Sequence, residues 1–237
     1  ALLALAMQPA QATLINDDYI GGDDHGYGDV IGAESIFGID SMDVELVGNM
    51  LSVSINTNFA GEAGVYSWAT DGGEGIGYGD LFLGSSWNPY GTAPYSEDNS
   101  SNGTTWALAL SLDDRWNNTG GTGSLYSLAG DGSDVLLSDN FLDHGTFRNG
   151  QEIAVDADGK RALSSSDWDT TGGSINFLID LTGTALEGSD TIALHWGMTC
   201  GNDTIEGEYA VPEPAMLGLL ALGLVGIGFS QRNKSKV

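Results

Sequence analysis

"VELVGNMLSVSI", residues Val44–Ile55, holds two alternating apolar runs joined at Gly48-Asn49. Leu51, Val53 and Ile55 fall on one side of an extended chain, and Ser52, Ser54 and Asn56 fall on the other. Successive side chains of a strand point to opposite faces, so this pattern predicts a strand with one buried face. A Gly-containing pair between two such runs predicts a tight hairpin.

The same signature recurs along the chain. It is seen in "ESIFGID" (34–40), "GVYSWAT" (64–70), "YGDLFLG" (78–84), "TTWALALSL" (104–112), "GSLYSLAG" (123–130), "DVLLSD" (134–139), "QEIAVDA" (151–157), "GSINFLIDLTG" (173–183) and "DTIALHWGMT" (190–199). In "TTWALALSL", Trp106, Leu108, Leu110 and Leu112 would share one face. His195 alternates with Trp196, so one should face out if the other faces in. The breaks are Gly/Asp/Asn/Ser clusters, as turns require, and Gly makes up 36 of the 237 residues. Between the two ends no long helical stripe is present. Eleven to thirteen short strands predict an all-β fold, a β-sandwich or jelly-roll-like domain over residues 13–210. Hydrophobics at 41% and six Trp suffice for its core.

The formal net charge is −26. All 33 acids lie within residues 13–214, where Arg115, Arg148, Lys160 and Arg161 are the only bases. Such a surface repels nucleic acid and anionic lipid, and it keeps an exported protein dispersed. Dense carboxylates also attract divalent cations. The one cysteine, Cys200, rules out an intramolecular disulfide. It continues the apolar face of Ile192, Leu194, Trp196 and Met198, so it reads as a buried small hydrophobe.

Both ends differ from this acidic middle. Residues 1–12, "ALLALAMQPAQA", end in Ala10-Gln11-Ala12, the small-x-small pattern of signal peptidase sites. They read as the remnant of a secretory signal peptide, with the mature chain starting at Thr13. At the other end, Val211, Pro212, Glu213 and Pro214 precede an apolar, Gly-dotted segment (215–231) and a basic tail (232–237) holding Arg232, Lys234 and Lys236. As a helix the apolar segment spans about 26 Å, just enough for a short membrane crossing. The prolines stop it from continuing into the β domain. The basic end predicts a cytoplasmic C-terminus.

These three parts, in this order over residues 211–237, resemble the PEP-CTERM sorting signal of Gram-negative bacteria. The resemblance implies recognition by an exosortase, a membrane protease-transpeptidase that cuts near Pro-Glu-Pro. The apolar helix would then be a transient inner-membrane anchor. It also implies a destination at the cell surface or in the extracellular matrix, among exopolysaccharide and biofilm material.

Within the β domain no motif carries enzyme chemistry. No Gly-x-Ser-x-Gly occurs, and His25, His144 and His195 show no metal-ligand spacing. The expectation is a non-enzymatic protein. "DDHGYGDVIG" (23–32) and "EGIGYGDLFLG" (74–84) share Gly-Tyr-Gly-Asp. Their acids suit Ca²⁺, which takes six to eight hard oxygens. Asp23, Asp24 and Asp29 are the candidate ligands, with Asp80 from the second loop. The longest loop, "SSWNPYGTAPYSEDNSSNGT" (85–104), carries Trp87, Tyr90 and Tyr95, which could stack on sugar rings in a lectin-like module. They could equally pack as the loop's own core. Exposed strand edges offer a third role, self-association into a surface filament or layer.

Overall fold

The computed structural model describes residues 12–21 and 27–212. Twelve strands run through them. The first group is β1 (Thr13–Asn16), β2 (Ile39–Val47), β3 (Met50–Thr57), β4 (Leu81–Gly84), β5 (Leu108–Leu112) and β6 (Gly120–Ser127). The second is β7 (Val135–Leu137), β8 (Glu152–Val155), β9 (Ser164–Thr171), β10 (Ser174–Asp180), β11 (Thr191–Gly197) and β12 (Thr204–Ala210). Ten of them form one antiparallel sheet in the order β1-β2-β3-β10-β9-β6-β5-β4-β11-β12, and β7 and β8 form a separate ribbon.

The all-β architecture read from the sequence is what the structure has. Its walls are parts of one sheet curled nearly into a barrel. Strand twist accumulates across ten strands and bends a sheet back on itself. The two edges meet, with β12 packed on β1 and β2. The approach is so close at Gly207 that a Cβ there would lie 2.5 Å from Ile15 Cγ2. Glycine therefore lets the seam close.

The β2–β3 hairpin turns where the sequence places it. Val47 pairs with Met50 across Gly48-Asn49. Gly48 has φ 63°, the positive value that a two-residue hairpin favours at its first central position. Leu51, Val53 and Ile55 point into the barrel beside Phe177 of the neighbouring β10, and so do Leu110, Leu194 and Trp196 from the far wall.

A smaller apolar cluster lies on the outer side of β4, β5 and β11. It holds Phe82, Ala109 and Ala193 under Trp106 and Val155, with Trp87, Leu128 and Val135 against them. The 85–107 loop and the β7–β8 ribbon supply this cover. Trp106 therefore belongs to the outer cluster while Leu108, Leu110 and Leu112 face inward. The expected shared face breaks because regular strand begins only at Leu108. His195 and Trp196 are both fully buried, one on each side of β11, because the outer side is roofed.

Two expected strands differ. Residues 34–37 form a helical turn before β2 begins at Ile39. In "GVYSWAT", Val65 makes a single bridge to Ile76, and Ser67–Ala69 then form a 3-10 turn. Gly64 (φ 95°) and Tyr66 (φ 54°) take left-handed backbone there, so the chain cannot stay extended.

Residues 1–11, Asp23, Asp24, His25, Glu213, Pro214, the 215–231 segment and the basic tail lie outside the described residues. Among the described residues no helix is long and apolar enough to cross a membrane.

Candidate functional site

Where β1 meets β12, three carboxylates converge. Asp17 follows β1, Asp29 lies in the loop before the 34–37 turn, and Asp203 immediately precedes β12. One oxygen from each lies within 4.8 Å of the others. Asp203 accepts hydrogen bonds from Ile39 N (2.7 Å) and Thr204 N (2.9 Å). In contrast, Asp17 Oδ1 and Asp29 Oδ1 are shielded from solvent and have no hydrogen-bond partner. Orphaned buried oxygens of this kind point to a water or ion partner.

The nearest cation is the fully buried Arg148. Its Nη1 donates to Ile20 O (3.1 Å) and to Thr204 Oγ1 (3.4 Å). Its Nη2 donates to Gly28 O (3.2 Å) and to Asp29 O. The two Nη groups thus donate to carbonyls and a hydroxyl, while the buried Nε has no hydrogen-bond partner among the described residues. Burial raises the Asp17, Asp29 and Asp203 pKa values. For Asp17 the charges of Asp203 and Asp29 add to that, while Arg148 offsets only part. This donor set is all oxygen, and the raised pKa values mean that a cation would be needed to hold it anionic; hard oxygens of this kind suit Ca²⁺. Three carboxylates give only part of a Ca²⁺ shell, so carbonyls or water would complete it.

The partnership expected between Asp29 and Asp80 is not made. Asp80 is buried elsewhere, where its Oδ1 accepts from Leu112 N (3.0 Å) and Arg115 Nη2 (3.1 Å). Its Oδ2 accepts from Val155 N (2.8 Å). This carboxylate is saturated as a crosslink between β5, β8 and the start of β4. The candidate ligands that sequence reasoning missed are Asp17 and Asp203. Their signal was weak, an Asp at the end of β1 and another at the start of β12, far apart in the chain.

The 85–104 loop folds over the barrel. Trp87 is half-buried, and its Nε1 donates to Glu206 Oε2 at 2.9 Å. Tyr95 packs edge-on against it, with ring centres 5.4 Å apart. Tyr90 is exposed. Two of the three aromatics thus pack on one another under the loop.

Beneath them lies a buried polar network that the sequence did not reveal. His195 Nδ1 meets Glu206 Oε1 at 2.9 Å, and Nε2 meets the Glu152 carbonyl at 2.7 Å. With Glu206 as a carboxylate both partners are acceptors, so both ring nitrogens then donate and the imidazole carries the charge. Burial opposes that charge, but the bond to Glu206 and the charges of Glu206 and Glu152 prevail and raise the pKa to about 9. Burial pushes Asp98 up to about 7, with Glu206 adding to it. Burial likewise pushes Glu152 to about 7, against the pull of His195. Glu206 faces His195 directly across the β11–β12 ladder. Cys200 is buried too, and burial raises its thiol to about 12.

The β domain ends where the sorting sequence begins. β12 stops at Ala210, Val211 N donates to Asp190 O (2.8 Å), and Pro212 is the last described residue. Residues 210–233 match the PEP-CTERM protein-sorting motif. No curated protein and no solved structure matches the chain. The motif marks an exported protein that is processed by an exosortase and sorted to the cell surface.

Proposed function

We propose that this protein is a structural component of a Gram-negative cell surface or extracellular matrix, its β domain clamped by Ca²⁺. The exosortase tail delivers it, as a transient inner-membrane anchor, to a place among exopolysaccharide. There a single β domain with no linker before its sorting motif acts as a compact, acidic body. The observation that carries the calcium reading is the meeting of Asp17, Asp29 and Asp203 with two orphaned buried oxygens.

The site joins Asp17 and the nearby Asp29 to Asp203 at the far end of the domain. A divalent ion would hold the carboxylates ionised and tie the end of β1 to the start of β12. It would stiffen the seam of the barrel against pulling from a matrix or an anchor. Binding only to the folded state stabilises it by mass action.

The test is thermal unfolding of the full chain after EDTA treatment, with and without added Ca²⁺. At Ca²⁺ about a hundredfold above its dissociation constant, the melting temperature should rise by about 5–10 °C. In the Asp17→Asn/Asp29→Asn variant the rise should vanish. Equal melts of metal-free and Ca²⁺-loaded protein, or an undiminished rise in the variant, would reject the site.

A further inference from the structure

Trp68 is 61% exposed, the largest exposure among the large hydrophobic side chains described. A loose surface tryptophan would be unremarkable, but this one is held. A Cβ placed at Gly145 would lie 3.0 Å from Trp68 Cη2 and 3.2 Å from Cζ3, so Gly145 abuts the outer edge of the indole. Tyr66 meets it edge-on, with centres 6.1 Å apart and planes at 85°. Tyr66 stacks in turn on Phe37 (5.7 Å), and Phe37 on the buried Phe59 (6.2 Å). The indole is thus anchored to the barrel core through a row of rings.

The flanking segment is fixed as well. Asp143 N and His144 N both donate to Ala69 O (2.9 and 3.2 Å). Asp71 N donates to Asp143 Oδ2 (2.9 Å). This leaves Asp71 and His144 exposed at the rim, 3.6 Å apart. The result is an apolar shelf held at its edge by Gly145 and by Tyr66, and bordered by polar groups.

We infer that Trp68 is a stacking platform for a neutral saccharide. One indole and a partly exposed Tyr66 offer far less apolar area than a stable protein interface buries. They match the size of one pyranose ring, whose C–H face suits an indole. One face of Tyr66 is occupied by Phe37, so the two rings do not form the cage that enfolds an alkylammonium group. The rim carboxylates accept hydrogen bonds from sugar hydroxyls, and a chain of charge −26 repels acidic glycans. The site shares no residue with the calcium cluster, so either can fail without the other.

The test is affinity electrophoresis of the full chain through gels containing hydroxyethylcellulose, dextran, galactomannan or xylan. Parallel gels contain alginate, and polylysine is titrated separately. At least one neutral polymer should retard the protein. Trp68→Ala should weaken that retardation about tenfold or more, as loss of an aromatic anchor does. Its melting temperature should stay unchanged, and Tyr90→Ala should bind as the parent does. The inference is overturned if no neutral polymer retards the protein, if Trp68→Ala leaves retardation intact, or if alginate or polylysine binds more strongly through Trp68.

Discussion

Along β2, β3 and β10, buried and exposed side chains alternate, as in Leu51, Val53 and Ile55 against Ser52, Ser54 and Asn56. Along β4, β5, β11 and β12 almost every side chain is buried. Both regions belong to one sheet with one interior. They differ in what lies outside: solvent in the first case, and the 85–107 loop with the β7–β8 ribbon in the second. The covered side keeps charges out of water, and it pairs them as His195 and Glu206. The same strand geometry thus produces a one-sided wall and a two-sided one.

The comparison breaks first at Trp196, which fills the interior behind the covered wall. Trp196→Ala should cost about 3–5 kcal/mol. In a domain of this size that lowers the melting temperature by roughly 6–20 °C. A loss below about 1 kcal/mol in chemical denaturation would mean the interior is not the main core.

A smaller effect tests the covered face. The His195 pKa is raised to about 9 from 6.5, so its stabilisation is complete below 6.5 and is lost as pH rises through about 9. Asp98 and Glu152 are also raised, to about 7, so theirs is lost as pH climbs from the ordinary carboxylate range through about 7. Stability should therefore decline across both windows. Glu206→Gln should cost about 1–3 kcal/mol near neutral pH and flatten the decline between pH 7 and 9. Melting curves at half-unit pH steps decide it, and an unchanged slope above pH 7 would refute the buried imidazolium.

The smallest effect belongs to the open wall. Leu178 on β10 is 50% exposed, and Leu178→Ser should shift stability by no more than about 0.5 kcal/mol. A loss several times larger, read from the same denaturation curves, would reveal a cover over that wall too.

The open wall was legible in the sequence because one face meets water, so the alternation of Leu51 through Asn56 is a local record of burial. The Gly48 turn was legible for the same reason, since its constraint is confined to two residues. The covered wall was half legible. "TIALHWG" revealed its inward face in Ile192, Leu194 and Trp196. The burial of His195 depends on Glu152 and on a loop about a hundred residues away. Periodicity holds no record of such partners. Asp29 was found from its loop, but Asp17 and Asp203 were not, because curling the sheet is what joins them. Trp68 was read as part of a strand, and only the left-handed backbone at Tyr66 turns it outward.

The seam between β1 and β12 has a consequence for timing. A chain is synthesised from its N-terminus, so β1 exists long before its partner. Asn202–Ala210 come last in the domain, yet they supply Asp203, the hydroxyl of Thr204 that Arg148 reaches, and the glycine that receives Ile15. The sorting motif follows at once, from residue 210. An interrupted chain that lacks this closing strand therefore lacks its address too. Only a protein long enough to shut its barrel can be forwarded, and completeness of synthesis becomes a condition of delivery.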